Sequence, residues 1–342
     1  MRVVYLTAPW RDYDYGKIAV DNKSVCVVRY GAFGDMIQTS SILAALKEQG
    51  YHITLNAGTY GFDVVRNDPN IDCIFVQETD LVPNNELPEY WKELSKHFNK
   101  FVNLSESIER SLLAVETEKA WNWHHAFRDM VMNVDYLDAT HAIAEVSDYP
   151  KRPKFYPNKH EIKWSKEYRR QLGLKNKVIM WALSGSSVHK AYPHTDTVIA
   201  RLLLNGPRAR IVMVGDQLCR LLDSAWENEP RVKTKSGKWP IRDTLAFMQQ
   251  CDVIVGPETG VMNAASFEPM KKVIMLSHSS PNNLGKSWPN TSVMTPKDTD
   301  CYPCHKLHYG WETCNRDKKT GGAMCAANIS PDDVYNEIVS AL

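Results

Sequence analysis

The amino-acid sequence predicts an α/β protein of two consecutive doubly wound domains, each built on a parallel sheet. Its 342 residues are about twice the length of an ordinary domain. Short apolar runs alternate with longer stretches of helical spacing, which is typical of parallel sheets covered by helices on both faces. A segment rich in proline and charge, residues 149–164, interrupts this alternation once and is interpreted as a linker. We therefore expect domains at residues 1–155 and 156–342.

The first domain is predicted to contain a sheet of at least four strands. Its first helix carries apolar residues at helical spacing and ends at Gly50, a usual C-terminal stop. The irregular residues 1–23 are expected to add a short strand and a turn. The predicted strands are 24–30, 52–58, 72–77 and 100–107, and the predicted helices are 40–50 and 85–99.

The second domain repeats this alternation and is predicted to end in a helix at residues 329–342. Ser330 suits the N-cap of that helix, and Pro331 suits its first turn. The predicted strands are 177–185, 209–216, 251–260 (with its loop) and 271–280, and the other predicted helices are 194–206, 240–250 and 260–267.

Neither a membrane span nor a secretory leader is predicted. No apolar run approaches the ~18–20 residues that a span requires. Residues 1–16 contain charges and lack a long apolar core. We therefore expect a cytoplasmic protein, and the composition, 43% hydrophobic and 24% charged, is that of a globular chain rather than a disordered or fibrous one.

The net charge of +1, from 41 basic and 40 acidic residues, conceals an asymmetry. Residues 1–160 hold 17 Lys and Arg against 22 Asp and Glu (17 − 22 = −5). Residues 161–342 hold 24 against 18 (24 − 18 = +6). Ordinary scatter of surface charge is one explanation. The other is that the basic half binds a phosphate-bearing ligand.

The eight cysteines fall into two groups. Four lie in or beside apolar stretches and are interpreted as small buried side chains: Cys26, Cys73, Cys219 and Cys251. The other four lie in one loop-rich segment that opens with Cys-x2-Cys: Cys301, Cys304, Cys314 and Cys325. Four thiolates can close a tetrahedral structural site for zinc or iron. Two disulfides are the alternative, which a reducing cytoplasm disfavours, and His305 or His308 could replace one cysteine.

Three loops that each follow a predicted strand carry the candidate chemistry. In the first, residues 29–35 (Arg-Tyr-Gly-Ala-Phe-Gly-Asp), Gly31 and Gly34 permit a sharp turn and close approach of a ligand. Asp35 at the start of the next helix is either an N-cap or a general base at the mouth of the domain. The spacing is not the Gly-x-Gly-x-x-Gly of dinucleotide-binding proteins, so we reject that interpretation.

The second loop, residues 184–190, follows the first strand of the second domain. Ser184, Gly185 and Ser186 offer backbone N–H groups and hydroxyls, and Lys190 adds a positive charge. Together they suit a phosphate or diphosphate. An ordinary turn with a surface lysine is the alternative.

The third loop, residues 256–265, also follows a strand and opens a helix. The N–H groups of Thr259 and Gly260 are expected to face an anion at the helix N-terminus. Glu258 either binds ribose hydroxyls or caps the helix.

At these loops the sequence resembles the heptosyltransferases, which are nucleotide-sugar glycosyltransferases with a GT-B fold of two Rossmann-like domains facing a central cleft. The Arg-x-x-x-x-Gly-Asp signature of that family is matched by residues 29–35, and its Gly-Pro-Asp-Thr-Gly-x-x-His-x-Ala signature by residues 256–265. A Lys-x-Trp-Pro-like element is matched by His-Lys-Ala-Tyr-Pro at residues 189–193. The likeness extends over residues 25–300.

This resemblance implies transfer of a heptose-like sugar or a hexose from a nucleotide diphosphate sugar to an acceptor hydroxyl, without a metal at the reacting atoms. The first domain would bind the acceptor, and the second would bind the donor. Asp35 would deprotonate the acceptor, and Lys190 would neutralise the diphosphate leaving group. The nucleotide-sugar site would further comprise Gly34, Ser184, Gly185, Ser186, Gly215, Glu258, Thr259, Gly260 and Asn263.

Three departures leave the donor and acceptor open. The Pro that often follows the first signature is replaced by Ser, at Ser40 or Ser41. Glu258 stands where the family has Asp, and Asn263 stands where it has His. The cysteine segment is similar to the four-cysteine iron finger of autotransporter heptosyltransferases, although its later spacings are shorter. An enzyme of this kind is compatible with a monomer or a homo-oligomer.

The acceptor is a glycan, a protein hydroxyl or a hydroxymethylated DNA base, and the acidic first domain disfavours the phosphate-rich DNA. An aromatic patch in that domain would stack on a sugar or base, or belong to the core, which is the favoured alternative. Its members are Trp121, Trp123, His124 and His125. A binding protein that keeps the fold and has lost catalysis is a further alternative.

Overall fold

The computed structural model describes residues 1–7, 9–18, 23–78 and 81–342, which form two compact units. Unit 1 comprises Met1–Ser107 and Leu137–Tyr156, and unit 2 comprises Ile108–Tyr136 and Pro157–Leu342. Residues 108–136 therefore leave unit 1 and pack with unit 2, a feature that a single cut in the chain does not describe.

Unit 1 is built on a parallel sheet in the order β1-β4-β3-β2-β5. The strands are β1 (Arg2–Tyr5), β2 (Ser24–Arg29), β3 (His52–Gly58), β4 (Cys73–Gln77) and β5 (Lys100–Asn103). β2 and β4 are buried along their whole length, as expected when both faces of a sheet are covered. Alternate side chains enter different clusters, since Val27 packs with Leu55 on one face and Cys26 with Phe75 on the other.

The helices of the first half of the chain follow these strands or belong to residues 108–136. They are α1 (Phe33–Glu48), α2 (Thr59–Val65), α3 (Leu87–Ser95), α4 (His125–Met132) and α5 (Tyr136–Ile143). Within the described ranges, no helix combines the length and apolar character that crossing a bilayer requires.

Unit 2 is built on a second parallel sheet, in the order β11-β10-β9-β6-β7-β8. The strand order reverses between β6 and β9, as in doubly wound nucleotide-binding folds. The strands are β6 (Lys177–Ala182), β7 (Ala209–Val214), β8 (Val232–Thr234), β9 (Val253–Pro257), β10 (Lys271–Met275) and β11 (Thr291–Met294). The helices are α6 (Lys159–Gln171), α7 (Thr195–Asn205), α8 (Arg220–Asp223), α9 (Ile241–Met248), α10 (Gly260–Ala265), α11 (Met324–Ala327) and α12 (Pro331–Val339).

The predicted elements are present, although several boundaries differ, such as that of the strand predicted at 100–107, which ends at Asn103. The helix predicted at 40–50 begins at Phe33, because its first turn contains Gly34 and Asp35 and so lacks an apolar period. The linker predicted at 149–164 ends early, since Asn158 and Glu161 form a capping box that starts α6. The strand predicted at 271–280 ends at Met275, and a buried turn follows it.

Two further strands, β8 and β11, were not predicted, since each has at most four residues and mixes polar with apolar side chains. The short strand expected within residues 1–23 is β1. Residue 8 and residues 19–22 of that region lie outside the described residues.

Candidate functional site

In unit 1 the loop between β2 and α1 holds the Asp35 carboxylate between two partners. Nη2 of the buried Arg29 lies 2.9 Å from Asp35 Oδ1, and Nη1 of Arg29 donates to the Leu104 carbonyl at 2.8 Å. The Ala32 N–H donates to Asp35 Oδ2 at 2.8 Å, so the carboxylate satisfies an orphan donor at the start of α1. The side chain remains 25% exposed, which leaves the carboxylate accessible for proton transfer.

Gly31 is needed for this arrangement. A Cβ at Gly31 would overlap the side chain of Asp35, so only glycine allows the loop to lie against the carboxylate. Gly34 is the second residue of α1.

In unit 2 the loops after β6 and β9 meet where the strand order reverses, which is where doubly wound sheets bind ligands. Lys190 Nζ lies 3.4 Å from the Glu258 carbonyl oxygen and 3.4 Å from Ser186 Oγ. A Cβ at Gly185 would come within 3.0 Å of the same carbonyl, so the glycine permits the close approach of the two loops. Three of the predicted nucleotide-sugar residues, Gly185, Ser186 and Glu258, thereby lie beside Lys190, which is predicted to stabilise the leaving group.

The Glu258 side chain points into unit 2 and accepts hydrogen bonds from the turn after β10. Ser277 Oγ donates to its Oε2 at 2.8 Å, the Ser279 N–H donates to its Oε1 at 2.9 Å, and His278 Nδ1 lies 2.9 Å from Oε2. Burial alone would raise the pKa of Glu258, but His278, Lys190 and Ser277 lower it to about 2. The carboxylate is therefore ionised and occupied by partners within the unit.

The remaining predicted residues of this site lie nearby or farther along the sheet. Thr259, not Glu258, caps α10, because its Oγ1 accepts from the Met262 N–H at 3.3 Å. Gly260 and Asn263 lie on that six-residue helix. Ser184 Oγ donates to the Ser187 carbonyl at 3.2 Å. Gly215 follows β7, where a Cβ would overlap the side chain of Cys219.

The four clustered cysteines line one cavity of about 110 Å³ in unit 2, together with Lys190 and His278. No disulfide joins them. Burial raises the pKa of Cys304 to about 12 and that of Cys314 to about 11, and charge on neighbouring thiols of the cluster adds to both shifts. Among the described residues, no three His, Cys, Asp or Glu side chains converge closely enough to hold a metal ion. The thiols therefore share a cavity without converging on one point.

Residues 301–325, here called the cysteine segment, contact the loop that carries Lys190. Ser187 Oγ donates to the His308 carbonyl at 2.7 Å. The His189 ring lies 4.0 Å from the Trp311 ring, measured between centroids. The segment thus contacts the turn that ends at Lys190 through two of its residues.

Residues 108–136, here called the clasp, also contact the cysteine segment. Arg128 is buried, and its Nε donates to the Cys304 carbonyl at 2.6 Å while its Nη1 donates to the Trp123 carbonyl at 2.7 Å. His305 Nε2 lies 2.9 Å from Asp129 Oδ1.

The aromatic patch predicted from the sequence lies in this clasp. Trp121 is buried, and its ring centroid lies 5.0 Å from that of His308. His125 Nε2 lies 2.9 Å from the Pro303 carbonyl oxygen, and His124 is exposed.

Sequence reasoning missed two residues that line the cavity, Arg128 and His278. No local pattern marks Arg128, since its partner Cys304 lies 176 residues later. A sequence pattern does mark His278. A polar Ser-His-Ser-Ser run follows the apolar strand, which indicates that the strand has ended and a polar turn begins.

No family model and no curated protein matches the sequence. Solved structures do match the fold. A glycosyltransferase of family 9 from Veillonella parvula has a TM-score of 0.66 at 16% identity, over 94% of this chain and 98% of that one. The E. coli ADP-heptose lipopolysaccharide heptosyltransferase II has a TM-score of 0.63 at 14% identity, over 93% and 98%.

A third similar structure is the dodecameric iron-containing heptosyltransferase TibC of enterotoxigenic E. coli, in complex with ADP-D-β-D-heptose. Its TM-score is 0.57 at 13% identity, over 94% of this chain and 77% of that one. The chain has the GT-B fold. The predicted fold class is thus confirmed, as is the likeness to heptosyltransferases at the level of the fold.

Proposed function

We propose that this chain is a glycosyltransferase that moves a sugar from a nucleotide diphosphate sugar of the ADP-heptose type to an acceptor hydroxyl. The observation that carries the proposal is the meeting of the second and third loops in unit 2, where Lys190 Nζ lies 3.4 Å from the Glu258 carbonyl oxygen. Both loops were singled out for phosphate binding from sequence alone, and they meet at the ligand-binding edge of a doubly wound sheet.

Two similar structures support the choice of donor. One is described as an ADP-heptose heptosyltransferase, and another holds ADP-D-β-D-heptose. The charge of the unit agrees with a phosphate-bearing ligand, since unit 2 holds 28 Lys and Arg against 23 Asp and Glu (28 − 23 = +5). In this proposal unit 2 binds the donor, and unit 1 binds the acceptor.

In the proposed reaction the acceptor oxygen forms a bond to the anomeric carbon, and the bond from that carbon to the diphosphate oxygen breaks. The acceptor proton passes to the Asp35 carboxylate, and the nucleoside diphosphate leaves with the bonding electron pair. Lys190 stabilises the charge that develops on the leaving oxygen. Arg29 keeps Asp35 in its charged form, since an adjacent guanidinium favours a carboxylate over the acid.

We also propose that Cys301, Cys304, Cys314 and Cys325 hold one zinc or iron ion. Four thiols that line one cavity with no disulfide have the chemistry that suits either metal. Because they do not converge in the structure, binding of the ion would have to draw them together. Such an ion would hold the cysteine segment against the Lys190 turn and would take no part in the chemical step, because four thiolates leave no open position.

The test is a thermal-shift and hydrolysis assay of the full chain with ADP-heptose, ADP-glucose, UDP-glucose and GDP-mannose. We expect the ADP sugars to stabilise the protein and to be hydrolysed slowly. Lys190→Met should weaken their binding by about tenfold or more, since it removes a charge-assisted contact with the diphosphate. Lys175→Met, which removes an exposed lysine of the same unit, is the matched control.

Asp35→Asn distinguishes a role of Asp35 as the base from a role in nucleotide binding. The amide preserves the shape of the carboxylate, so nucleotide binding should persist, whereas turnover should fall by about 10²–10⁴-fold. If no nucleotide sugar stabilises the chain or is hydrolysed, the enzyme proposal is wrong. If Asp35→Asn lowers nucleotide affinity instead of turnover, Asp35 is not the base.

A further inference from the structure

Unit 1 contains a cavity of about 140 Å³ at the carboxyl edge of its sheet. Its walls come from the ends of three neighbouring strands. Tyr30 and Gly31 follow β2, Gly58 and Thr59 join β3 to α2, and Gln77 ends β4. Tyr60 lies at the cavity with 80% of its surface exposed.

The cavity adjoins the Asp35 carboxylate. Gly31 lines the cavity on one side and lies against the Asp35 side chain on the other, where a Cβ would overlap it. Gly61 also lines the cavity, and a Cβ there would come within 2.9 Å of the Gly31 carbonyl oxygen. At these two positions only backbone atoms line the cavity beside Asp35.

The back wall of the cavity is hydrogen-bonded and neutral. The Tyr30 hydroxyl lies 2.5 Å from Asn56 Oδ1 and 2.8 Å from Gln77 Oε1, and it accepts from Trp91 Nε1 at 3.1 Å. Burial raises the pKa of Tyr30, so the phenol stays uncharged. Gln77 also lines the cavity, so its side-chain amide is a hydrogen-bonding group at this wall.

None of the described residues that line this cavity carries a charged side chain. A phosphorylated ligand would find no cation among these lining residues to balance its charge. The wider unit is also acidic, since it holds 13 Lys and Arg against 17 Asp and Glu (13 − 17 = −4). Aromatic surface, an amide and hydroxyls suit an uncharged, hydroxyl-rich ring.

We propose that this cavity is the acceptor subsite and that it takes a neutral sugar ring, with one hydroxyl turned toward Asp35. The proposal rests on the proposed glycosyltransferase function and names the chemical class of its acceptor. Tyr60 supplies an aromatic face for the ring, and Gln77 hydrogen-bonds to its hydroxyls.

Gly58 offers a direct way to fill the cavity. Its backbone is extended, with φ −76° and ψ 163°, so other residues fit there without strain. A Cβ at Gly58 would meet no heavy atom within 4 Å. Gly58→Leu should therefore occupy the space of a ligand without disturbing the sheet, and Gly58→Ala should do so only in part.

The experiment measures binding of methyl glucoside, methyl galactoside, methyl mannoside and glucose 6-phosphate to the full chain in the presence of ADP, by ligand-observed NMR. We expect at least one neutral glycoside to bind and glucose 6-phosphate not to bind. Gly58→Leu and Tyr60→Ala should each weaken the neutral ligand by about tenfold. Tyr309→Ala, which removes an exposed tyrosine of unit 2, is the matched control for Tyr60→Ala and should change nothing.

Three results would overturn the proposal: no neutral glycoside binds, glucose 6-phosphate binds more tightly than the glycosides, or Gly58→Leu leaves binding unchanged. ADP binding, followed in the same samples, separates this outcome from failure of the proposed function. Loss of all nucleotide binding refutes the glycosyltransferase proposal. Retained nucleotide binding with any of the three results refutes the acceptor subsite alone.

Discussion

Asp35 and Asp68 are carboxylates of the same unit in opposite surroundings. Asp35 lies against the Arg29 guanidinium, which stabilises its charge. Asp68 is buried; its Oδ1 accepts both bonds from Asn70, whereas its Oδ2 has no hydrogen-bond partner among the described residues. Burial raises the pKa of Asp68 to about 6, in spite of the opposing effects of Asn70 and Lys154.

Asp68→Asn should therefore raise the stability of unit 1 at neutral pH. The folded state holds the Asp68 proton up to a pH of about 6, and the unfolded state releases it near the ordinary aspartate pKa of 3.8. The stabilisation due to that proton is present below pH 4 and is lost as the pH rises through 6. The variant should gain up to about 3 kcal/mol over the natural chain at pH 7.5 and nothing at pH 4.

Hydrogen exchange of the amides in β2 and β3, measured in urea at both pH values, would report this difference. Asp148→Asn, which changes an exposed aspartate of the same unit, is the control and should show no such pH dependence. An equal effect of Asp68→Asn at pH 4 and pH 7.5 would show that Asp68 is ionised in the folded state at both.

At the level of residues, sequence predicts contacts that are close in the chain and misses those that are distant. The approach of Gly31 to Asp35 follows from a four-residue spacing, and glycine is the residue such an approach requires. The sequence does not predict that the Glu258 side chain points into unit 2. Its partners Ser277 and Ser279 lie 19 and 21 residues later, beyond the end of the next strand. The two roles that the sequence predicts for Glu258, a helix cap and a ribose ligand, therefore do not include its contacts with the turn after β10.

Among the elements, the clasp has the least regular sequence and some of the longest-range contacts. Its helix α4 has only eight residues, and much of the rest is loop and turn. It contacts the cysteine segment through Arg128, Asp129 and His125, each across more than 170 residues of chain. The strands were predictable because burial on both faces produces an apolar run. The clasp lacks such a run because hydrogen bonds to loop carbonyls supply much of its attachment.

Arg128→Met should loosen the clasp and the cysteine segment together. The methionine fills similar space but donates no hydrogen bond, so the carbonyls of Cys304, Trp121 and Trp123 lose a donor. We expect a loss of about 2–4 kcal/mol in the local stability of unit 2. Faster hydrogen exchange at residues 114–129 and 303–307 would measure it.

Lys119→Met, which changes an exposed side chain of the same clasp, is the control and should leave both regions protected. If Arg128→Met changes exchange in the clasp but not at residues 303–307, then Arg128 does not couple the two segments.

At the scale of the whole molecule, the charge asymmetry found in the sequence persists when it is counted over the structural units. Unit 1 carries −4 and unit 2 carries +5, compared with −5 and +6 for the sequence halves. The asymmetry persists because the net charge of residues 108–136 is small. These residues belong to the first half of the sequence but to unit 2 of the structure. Overall composition therefore indicates the charge asymmetry, although the cut at residue 160 differs from the boundaries of the structural units.

Removal of the metal should lower protection from hydrogen exchange in unit 2 and leave that of unit 1 unchanged. We expect elemental analysis to find about one zinc or iron per chain, released by a chelator. After release, amides of the cysteine segment and the clasp should lose protection from exchange, and β2 and β3 of unit 1 should keep theirs.

The double variant Cys301→Ser/Cys304→Ser should reproduce the metal-free state. Cys26→Ala, which changes a buried cysteine of unit 1, should retain the metal. A folded, active protein that contains no metal would disprove the assignment of the cysteine cluster.

The path of the chain through the two units also sets an order of events during synthesis. The clasp is complete when residue 136 leaves the ribosome, but its partner His305 is made 169 residues later (305 − 136 = 169). At about 5–20 residues per second the delay is roughly 10–30 s. During that interval Arg128 lacks the Cys304 carbonyl and Trp121 lacks the His308 ring, while unit 1 already has its whole sequence once residue 156 emerges. A ribosome that stalls before residue 301 would therefore release a chain with one finished unit and an unpaired aromatic loop, which is the kind of surface that chaperones and proteases bind.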